Sequence, residues 1–384
     1  MSRPATPSQA VILVGGEGTR LRPVTSRVPK PVAPVVERPF VAYILDDLAR
    51  HGVARAVFSS GYLAAAIEAE IGDGAAYGVA VDYVVEDEPL GTAGAIANCA
   101  PKLDDGPFFV FNGDVLSDVD LGAFAAVHGE KGGMATIFLT AVADPRRYGL
   151  VQLRDDGSVA DFLEKPGEWE GTALINAGVY VLEPEILDLI PRGRLFSIER
   201  GVFPKLARAG SLYGYVDHGY WRDIGTPESY LQAHFDILER VVRTTVGDDM
   251  GDSYVYVSPS ATLGTAARIV PPCYVADGAA IASGARVGPL AVVGAGAVVG
   301  EGASVVESVL QAAVRVEPHA DVSRSILVRE SRVGAGAQIH AAVLGEACDV
   351  GAGNQLAAGI WLAPGTVLAD GCVGFREQFD ARES

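Results

Sequence analysis

From residue 257 onward an aliphatic side chain returns every sixth position: Val257, Leu263, Ile269, Val275, Ile281, Val287, Val293, Val299 and Val305. The step slips and resumes at Val316, Val322 and Val328. It slips again before Val333 and Ile339, and resumes at Leu344, Val350, Leu356, Leu362 and Leu368. Glycine often follows the aliphatic residue, as at Gly264, Gly288, Gly294, Gly300, Gly334, Gly345 and Gly351. A six-residue repeat of this kind marks a parallel β-helix. Each repeat forms one side of a triangular coil, and three repeats make a turn. The aliphatic residue points into a narrow core, and small residues permit tight corners. A buried Val or Leu contributes about 1.5–3 kcal/mol, so a stack of roughly six turns can hold itself together.

Residues 9–240 follow another rule. Short apolar runs at 9–14, 56–59, 81–85, 108–111, 135–141, 150–153, 175–181 and 212–215 read as strands. Amphipathic stretches at 39–51, 63–71, 93–100, 121–128, 184–189, 198–209 and 227–241 read as helices. The alternation predicts an α/β domain with a mainly parallel sheet, whose ligands sit at the carboxyl ends of strands. The expected organisation is a domain over 1–241, a linker over 242–252, the β-helix over 253–373 and a charged tail over 374–384.

The 384 residues carry 30 Lys and Arg against 48 Asp and Glu, a formal charge of −18. Such a surface repels nucleic acid and anionic lipid. No apolar run reaches the roughly 18 residues of a membrane span. The first ten residues lack an apolar signal core, so a cytoplasmic protein is expected. Cys99, Cys273, Cys348 and Cys372 form no close pair, which argues for buried thiols rather than zinc or disulfides. His51, His128 and His234 fall in helical stretches as packed or solvated residues, and His218 precedes a candidate metal motif.

The stretch VILVGGEGTRLRPVTSRVPKP, residues 11–31, places glycines and fixed cations directly after a strand. Glycines there let backbone N–H groups approach an anion. The run fails the Walker pattern, which requires GK[ST], and it lacks the third glycine of a dinucleotide fingerprint. Arg20 and Lys30 remain as separately placed cations, suited to a triphosphate that loses pyrophosphate.

GGxGTRLxPxT followed by PKP resembles the signature of nucleotide-sugar pyrophosphorylases, which join a nucleoside triphosphate to a sugar 1-phosphate. Further motifs follow in that family's order: Glu88-Pro89-Leu90-Gly91-Thr92-Ala93-Gly94, Phe111-Asn112-Gly113-Asp114, Arg147-Tyr148-Gly149, Glu164-Lys165-Pro166, Asn176-Ala177-Gly178 and Tyr220-Trp221-Arg222-Asp223. With the β-helix behind them, the chain resembles the long forms of that family, especially mannose-1-phosphate guanylyltransferases of the actinobacterial type. The resemblance implies a Rossmann-like nucleotidyltransferase domain followed by a left-handed β-helix. It implies nucleotide contacts from Leu13, Gly15, Gly16, Gly18, Thr19, Arg20, Pro89, Gly91, Thr92, Asn112 and Gly113. Sugar-phosphate contacts are implied for Tyr148, Gly149, Glu164, Lys165, Asn176 and Gly178, and Mg²⁺ ligation for Asp114 and Asp223. Arg20, Lys30, Asp114, Lys165 and Asp223 are the implied catalytic set. Glu17 departs from the family pattern by placing an acid beside the triphosphate loop.

A phosphate oxygen is already nucleophilic at neutral pH, so the chemistry needs positioning and charge neutralisation rather than a base. One or two carboxylates suit Mg²⁺, which leaves its other positions to substrate phosphates and water. Glu86, at the end of the strand 81–85, offers paired acceptors that match guanine N1–H and N2–H₂, with Glu88 a competing carboxylate. The expected partners are a nucleoside triphosphate and a sugar 1-phosphate, without nucleic acid or membrane, in a homo-oligomer. Another nucleotide, another hexose or cyclitol phosphate, and a non-catalytic regulatory subunit stay open as alternatives.

Overall fold

The computed structural model describes residues 6–61, 63–164, 169, 171–357 and 359–374. The chain forms two compact units. One comprises residues 1–17, 28–33 and 39–224; the other comprises 18–27, 34–38 and 225–384.

The first unit is built on a nine-stranded sheet. Its strands are β1 (Gln9–Leu13), β2 (Arg55–Ser60), β3 (Ala80–Val85), β4 (Phe108–Asn112), β6 (Ala135–Val142), β7 (Gly149–Leu153), β8 (Val159–Glu164), β9 (Ala173–Leu182) and β10 (Leu212–Val216). A separate ribbon pairs β5 (Val115–Ser117) with β11 (Trp221–Asp223). The main path runs β8-β7-β9-β4-β1-β2-β3, with β6 against β9 and β10 against β6. From β1 to β4 the pairing is parallel, because helices α1 (Phe40–Arg50), α2 (Ala64–Ile71) and α3 (Gly91–Cys99) provide the crossovers. From β6 to β9 the sheet turns antiparallel. The connecting residues 143–148, 154–158 and 165–172 are shorter than the roughly dozen a parallel crossover needs. The sheet is therefore mixed. Its faces are packed by two apolar clusters, one around Ile12, Phe58 and Phe109, the other around Val11, Val110 and Tyr180.

The second unit is dominated by three parallel stacks of seven, seven and six short strands, the sides of a β-helix. The inward residues align as Val257, Val275, Val293, Leu310, Leu327 and Leu344 on one side. The first two steps are eighteen residues and the next three seventeen, which explains the slips. Leu310 and Leu327 are thus core members, and Leu327 takes the place that simple counting assigns to Val328. A Cβ on Gly334 would lie 2.4 Å from Ala352 N of the next coil, so glycine is required at that corner.

Residues 242–252 read as an unpatterned linker. They contain a helix, Thr245–Met250, capped by the Thr244 side chain accepting from Gly247 N–H. Val242, Val246 and Met250 form a buried stripe at four-residue spacing that polar neighbours obscure. Cys99, Cys273 and Cys348 are buried, but Cys372 is exposed, against expectation. No helix among the described residues is long and apolar enough to cross a membrane.

Candidate active site

In the first unit β1 ends at Leu13, and the glycine loop begins two residues on. A Cβ on Gly15 would stand 3.4 Å from Glu86 Oε1, and one on Gly16 would meet nothing within 4 Å. Neither backbone lies in the left-handed region. No described residue therefore demands glycine at either position. Gly113 contrasts with them: its N–H donates to the Leu13 carbonyl at 2.9 Å, and an added Cβ would lie 2.6 Å from that oxygen. The NGD turn is thereby pressed against the end of β1.

Lys30 opens a short 3-10 helix, Lys30–Val32, and its side chain is almost wholly buried. Its Nζ donates to Asp114 Oδ2 at 2.8 Å. Asp223 pairs with Val115 across the β5–β11 ribbon, and the Ile224 N–H donates to the Asp114 carbonyl at 3.1 Å. Both aspartates therefore come to one place at strand ends, with the Asp114 side chain 36% exposed. Among the described residues no three His, Cys, Asp or Glu side chains form a ready-made metal cage. A carboxylate paired with a cation, with a second aspartate on the adjacent strand, matches the chemistry of a hard divalent ion that shares substrate phosphates better than that of a structural metal.

The motifs expected on the sugar side also converge. The Tyr148 ring meets Trp221 edge-on at 5.3 Å, and Trp221 Nε1 donates to the Ala177 carbonyl at 2.8 Å. Gly178 has φ 80°, and a Cβ there would lie 2.7 Å from Asn112 Nδ2. Gly149 pairs with Glu164 across β7 and β8, and its missing Cβ leaves room for Glu164 Oε2. Asn176 is already engaged: Nδ2 donates to the Tyr180 hydroxyl at 3.0 Å, and Oδ1 accepts from Gly178 N–H at 3.0 Å. One N–H and one lone pair of that amide remain for a ligand. Lys165 and Pro166 lie outside the described residues.

Glu86 is held at both oxygens. Oε1 accepts from the Ser59 hydroxyl and Oε2 from Leu90 N–H, each at 2.9 Å. The second bond sets the carboxylate at the N-terminal end of α3, where the helix dipole favours negative charge. Pro89 and Glu88 are exposed. Gly91 (φ 68°) and Thr92 start α3 and press against residues 196–199. Thr92 Oγ1 donates to Glu199 Oε2 at 2.7 Å and accepts from Ile198 N–H at 2.9 Å, so its hydroxyl serves the loop's own architecture. Phe196, Ser197 and Glu199 are contributors that sequence reading missed. Their one local signal is the Ser197 cap on the short helix Ile198–Gly201.

In the second unit, Gly18 adopts φ 62° and leads into the 3-10 turn Thr19–Leu21. Arg20 and Thr19 are exposed, while Leu21 is buried. Glu17 and His218, both of the first unit, are exposed.

The sequence profile described as Nucleotidyl transferase matches residues 9–240, and that described as GMPPB C-terminal domain matches residues 269–367. The chain belongs to the nucleotidyl transferase family. It is 43% identical over 261 residues to a protein named mannose-1-phosphate guanylyltransferase from Mycobacterium tuberculosis, covering 66% of this chain and 72% of that one. It is 41% identical over 228 residues to a mannose-1-phosphate guanyltransferase from Eremothecium gossypii, covering 58% and 63%. The match thus spans less than two thirds of the fungal protein's length. The crystal structure of HddC from Yersinia pseudotuberculosis superposes with a TM-score of 0.53 at 33% identity, covering 59% of this chain and 98% of that one. The same protein has also been solved in complex with GMP-PN. As a nucleotidyl transferase, this chain is an enzyme of group transfer, and its motifs occupy the strand ends where the sheet offers a ligand site.

Proposed function

We propose that the chain transfers a guanylyl group from GTP to mannose 1-phosphate, releasing pyrophosphate and forming GDP-mannose. The Lys30–Asp114 contact carries this reading, because it sets a cation against a carboxylate where the strand ending at Asp223 pairs alongside. An oxygen of the sugar phosphate attacks the α-phosphorus. A new P–O bond forms as the bond from that phosphorus to the bridging oxygen of pyrophosphate breaks. Lys30 steadies the reacting phosphates, Arg20 neutralises the departing pyrophosphate, and Lys165 holds the sugar phosphate. Asp114 and Asp223 would hold Mg²⁺, which would supply charge neutralisation to the phosphates.

Gly15 and Gly16 leave their space to the triphosphate, with Gly18, Thr19 and Leu13 completing the loop. Asn112 and Gly113 adjoin it. Glu86 reads guanine through the lone pairs left on its fixed carboxylate, supported by Pro89 and Gly91. The relatives named as mannose-1-phosphate guanylyltransferases support the same choice of base and sugar. Tyr148, Gly149, Glu164, Asn176 and Gly178 line the sugar side. The test is pyrophosphate release with Mg²⁺ over a grid of four nucleoside triphosphates and several sugar 1-phosphates. One dominant response at GTP with mannose 1-phosphate is expected. A dominant response at another nucleotide would overturn the reading of Glu86, and one at another sugar would reassign the acceptor.

A further inference from the structure

The segments that flank Lys30 in the sequence, 18–27 and 34–38, belong to the β-helix unit. Each is fastened to one edge of the coil. On that edge Ala295, Ala312, Arg329 and Glu346 follow the aligned residues Val293, Leu310, Leu327 and Leu344 by two positions. The Glu37 carboxylate accepts from Ala295 N–H at 2.8 Å, and Gly294 leaves space for it, since a Cβ there would lie 2.7 Å from Glu37 Oε1. Gln311 Nε2 donates to the Tyr230 hydroxyl at 3.2 Å, and that hydroxyl donates to the Pro34 carbonyl. His234 Nδ1 accepts from Val36 N–H at 3.1 Å. One coil further on, Glu346 accepts from Arg27 at 3.3 Å and from Arg329 at 3.1 Å. Arg329 is itself held through its N–H by Gln311 Oε1.

Two features show that this edge holds the segments rather than merely touching them. Val36 and Glu37 adopt φ 42° and 65°, a left-handed pair without glycine. Such strain persists only where the surroundings over-determine it. In the arm 18–27, Leu21, Val24 and Thr25 are buried, and the Thr25 hydroxyl ties back to the Gly18 carbonyl at 2.8 Å. The arm is a compact piece, so a tether at Arg27 restrains Arg20 as well.

We propose that Glu37 and Glu346 are positioning residues for the nucleoside triphosphate. From the β-helix they fix the arm that carries Arg20 and the turn that follows Lys30 in the chain. The β-helix then acts in nucleotide binding and is more than a platform. The proposal rests on the reading of Arg20 as a triphosphate ligand. A freed arm must be ordered when the nucleotide binds, and that cost falls on the nucleotide's KM. The sugar-phosphate candidates Tyr148, Glu164 and Asn176 belong to the other unit, so the acceptor's KM stays put.

The test uses the full chain with Glu37→Ala, Glu37→Gln and Arg27→Ala, on the substrate pair that the wild type turns over. Arg27 is 56% exposed, so its removal leaves the fold intact. Expected are a rise of about tenfold in the nucleotide KM for Glu37→Ala and of about threefold for Arg27→Ala, with the acceptor KM within about twofold. Glu37→Gln keeps an acceptor for Ala295 N–H and restores the nucleotide KM to within about twofold of wild type. An unchanged nucleotide KM in both alanine variants, or equal shifts in both KM values, overturns the proposal. A wild type that prefers another pair sinks only the substrate reading, since the same comparison then runs on that pair. If no pair turns over, equilibrium binding of each triphosphate replaces KM. An Arg20→Ala variant that binds triphosphate as tightly as wild type sinks the reading of Arg20, and this proposal with it.

Discussion

Gly16 and Gly113 are glycines for opposite reasons. At Gly113 the protein itself forbids a side chain, because Leu13 O would lie 2.6 Å from the new carbon. At Gly16 no described residue objects. Gly113→Ala should therefore cost about 1–3 kcal/mol, seen as a lower urea midpoint. Gly16→Ala should unfold within about 0.5 kcal/mol of wild type. Its nucleotide KM should nevertheless rise about tenfold or more, because a methyl group would stand where backbone approaches phosphate. A wild-type nucleotide KM in Gly16→Ala would show that the space serves no ligand. Asp114→Asn should lower turnover by about 100-fold or more with the fold intact, by near-ultraviolet circular dichroism. Turnover unchanged in that variant would remove Asp114 from the metal assignment.

Among elements, helix α4 (Pro227–Leu238) buries a titratable ring. His234 Nδ1 accepts from Val36 N–H, so the proton sits on Nε2, which is buried and has no partner among the described residues. Burial pushes this imidazole down from its ordinary value of 6.5 to about 3. The folded state thus refuses a proton that the unfolded chain accepts. The associated stability is fully present above pH 6.5 and is lost as pH falls from there towards 3. Between pH 7.5 and pH 5 the loss should be roughly 2 kcal/mol in urea unfolding, and His234→Gln should flatten it. Equal pH dependence in both proteins would assign the effect elsewhere.

The same scale shows what a sequence can reveal. The β-helix was legible because its period repeats along one line of the chain. The strand–helix alternation was legible through β4 for a similar reason. The antiparallel half was not, since its direction depends on loop length rather than apolar pattern. The motif residues were legible by spacing. The bonds that occupy Glu86, Thr92 and Asn176 were hidden, because Ser59 and Glu199 lie far off in the chain and Tyr180 reads as one more buried aromatic.

At the scale of the whole molecule, the two units are built on different principles of cohesion. The first gathers distant segments around one sheet. In the second, each coil of the β-helix stacks on the coils before and after it, so damage should stay close to where it is made. Leu310→Ala should cost about 2–5 kcal/mol. Amide exchange should quicken in the coils containing Val293 and Leu327, while β1 and β4 keep wild-type protection. Faster exchange throughout β1 and β4 would show that the coil does not respond as a nearest-neighbour stack.

The mixture of eighteen-residue and seventeen-residue coils has a consequence for how this molecule can change length. Aligned sides tolerate a residue gained or lost where the chain turns, since the next side re-enters the same register. A residue lost within a side exchanges its inward and outward faces. Insertions and deletions in this half of the gene are therefore quantised. They are absorbed singly at corners or as whole coils, and duplication of a complete coil should lengthen the stack without unsettling its neighbours.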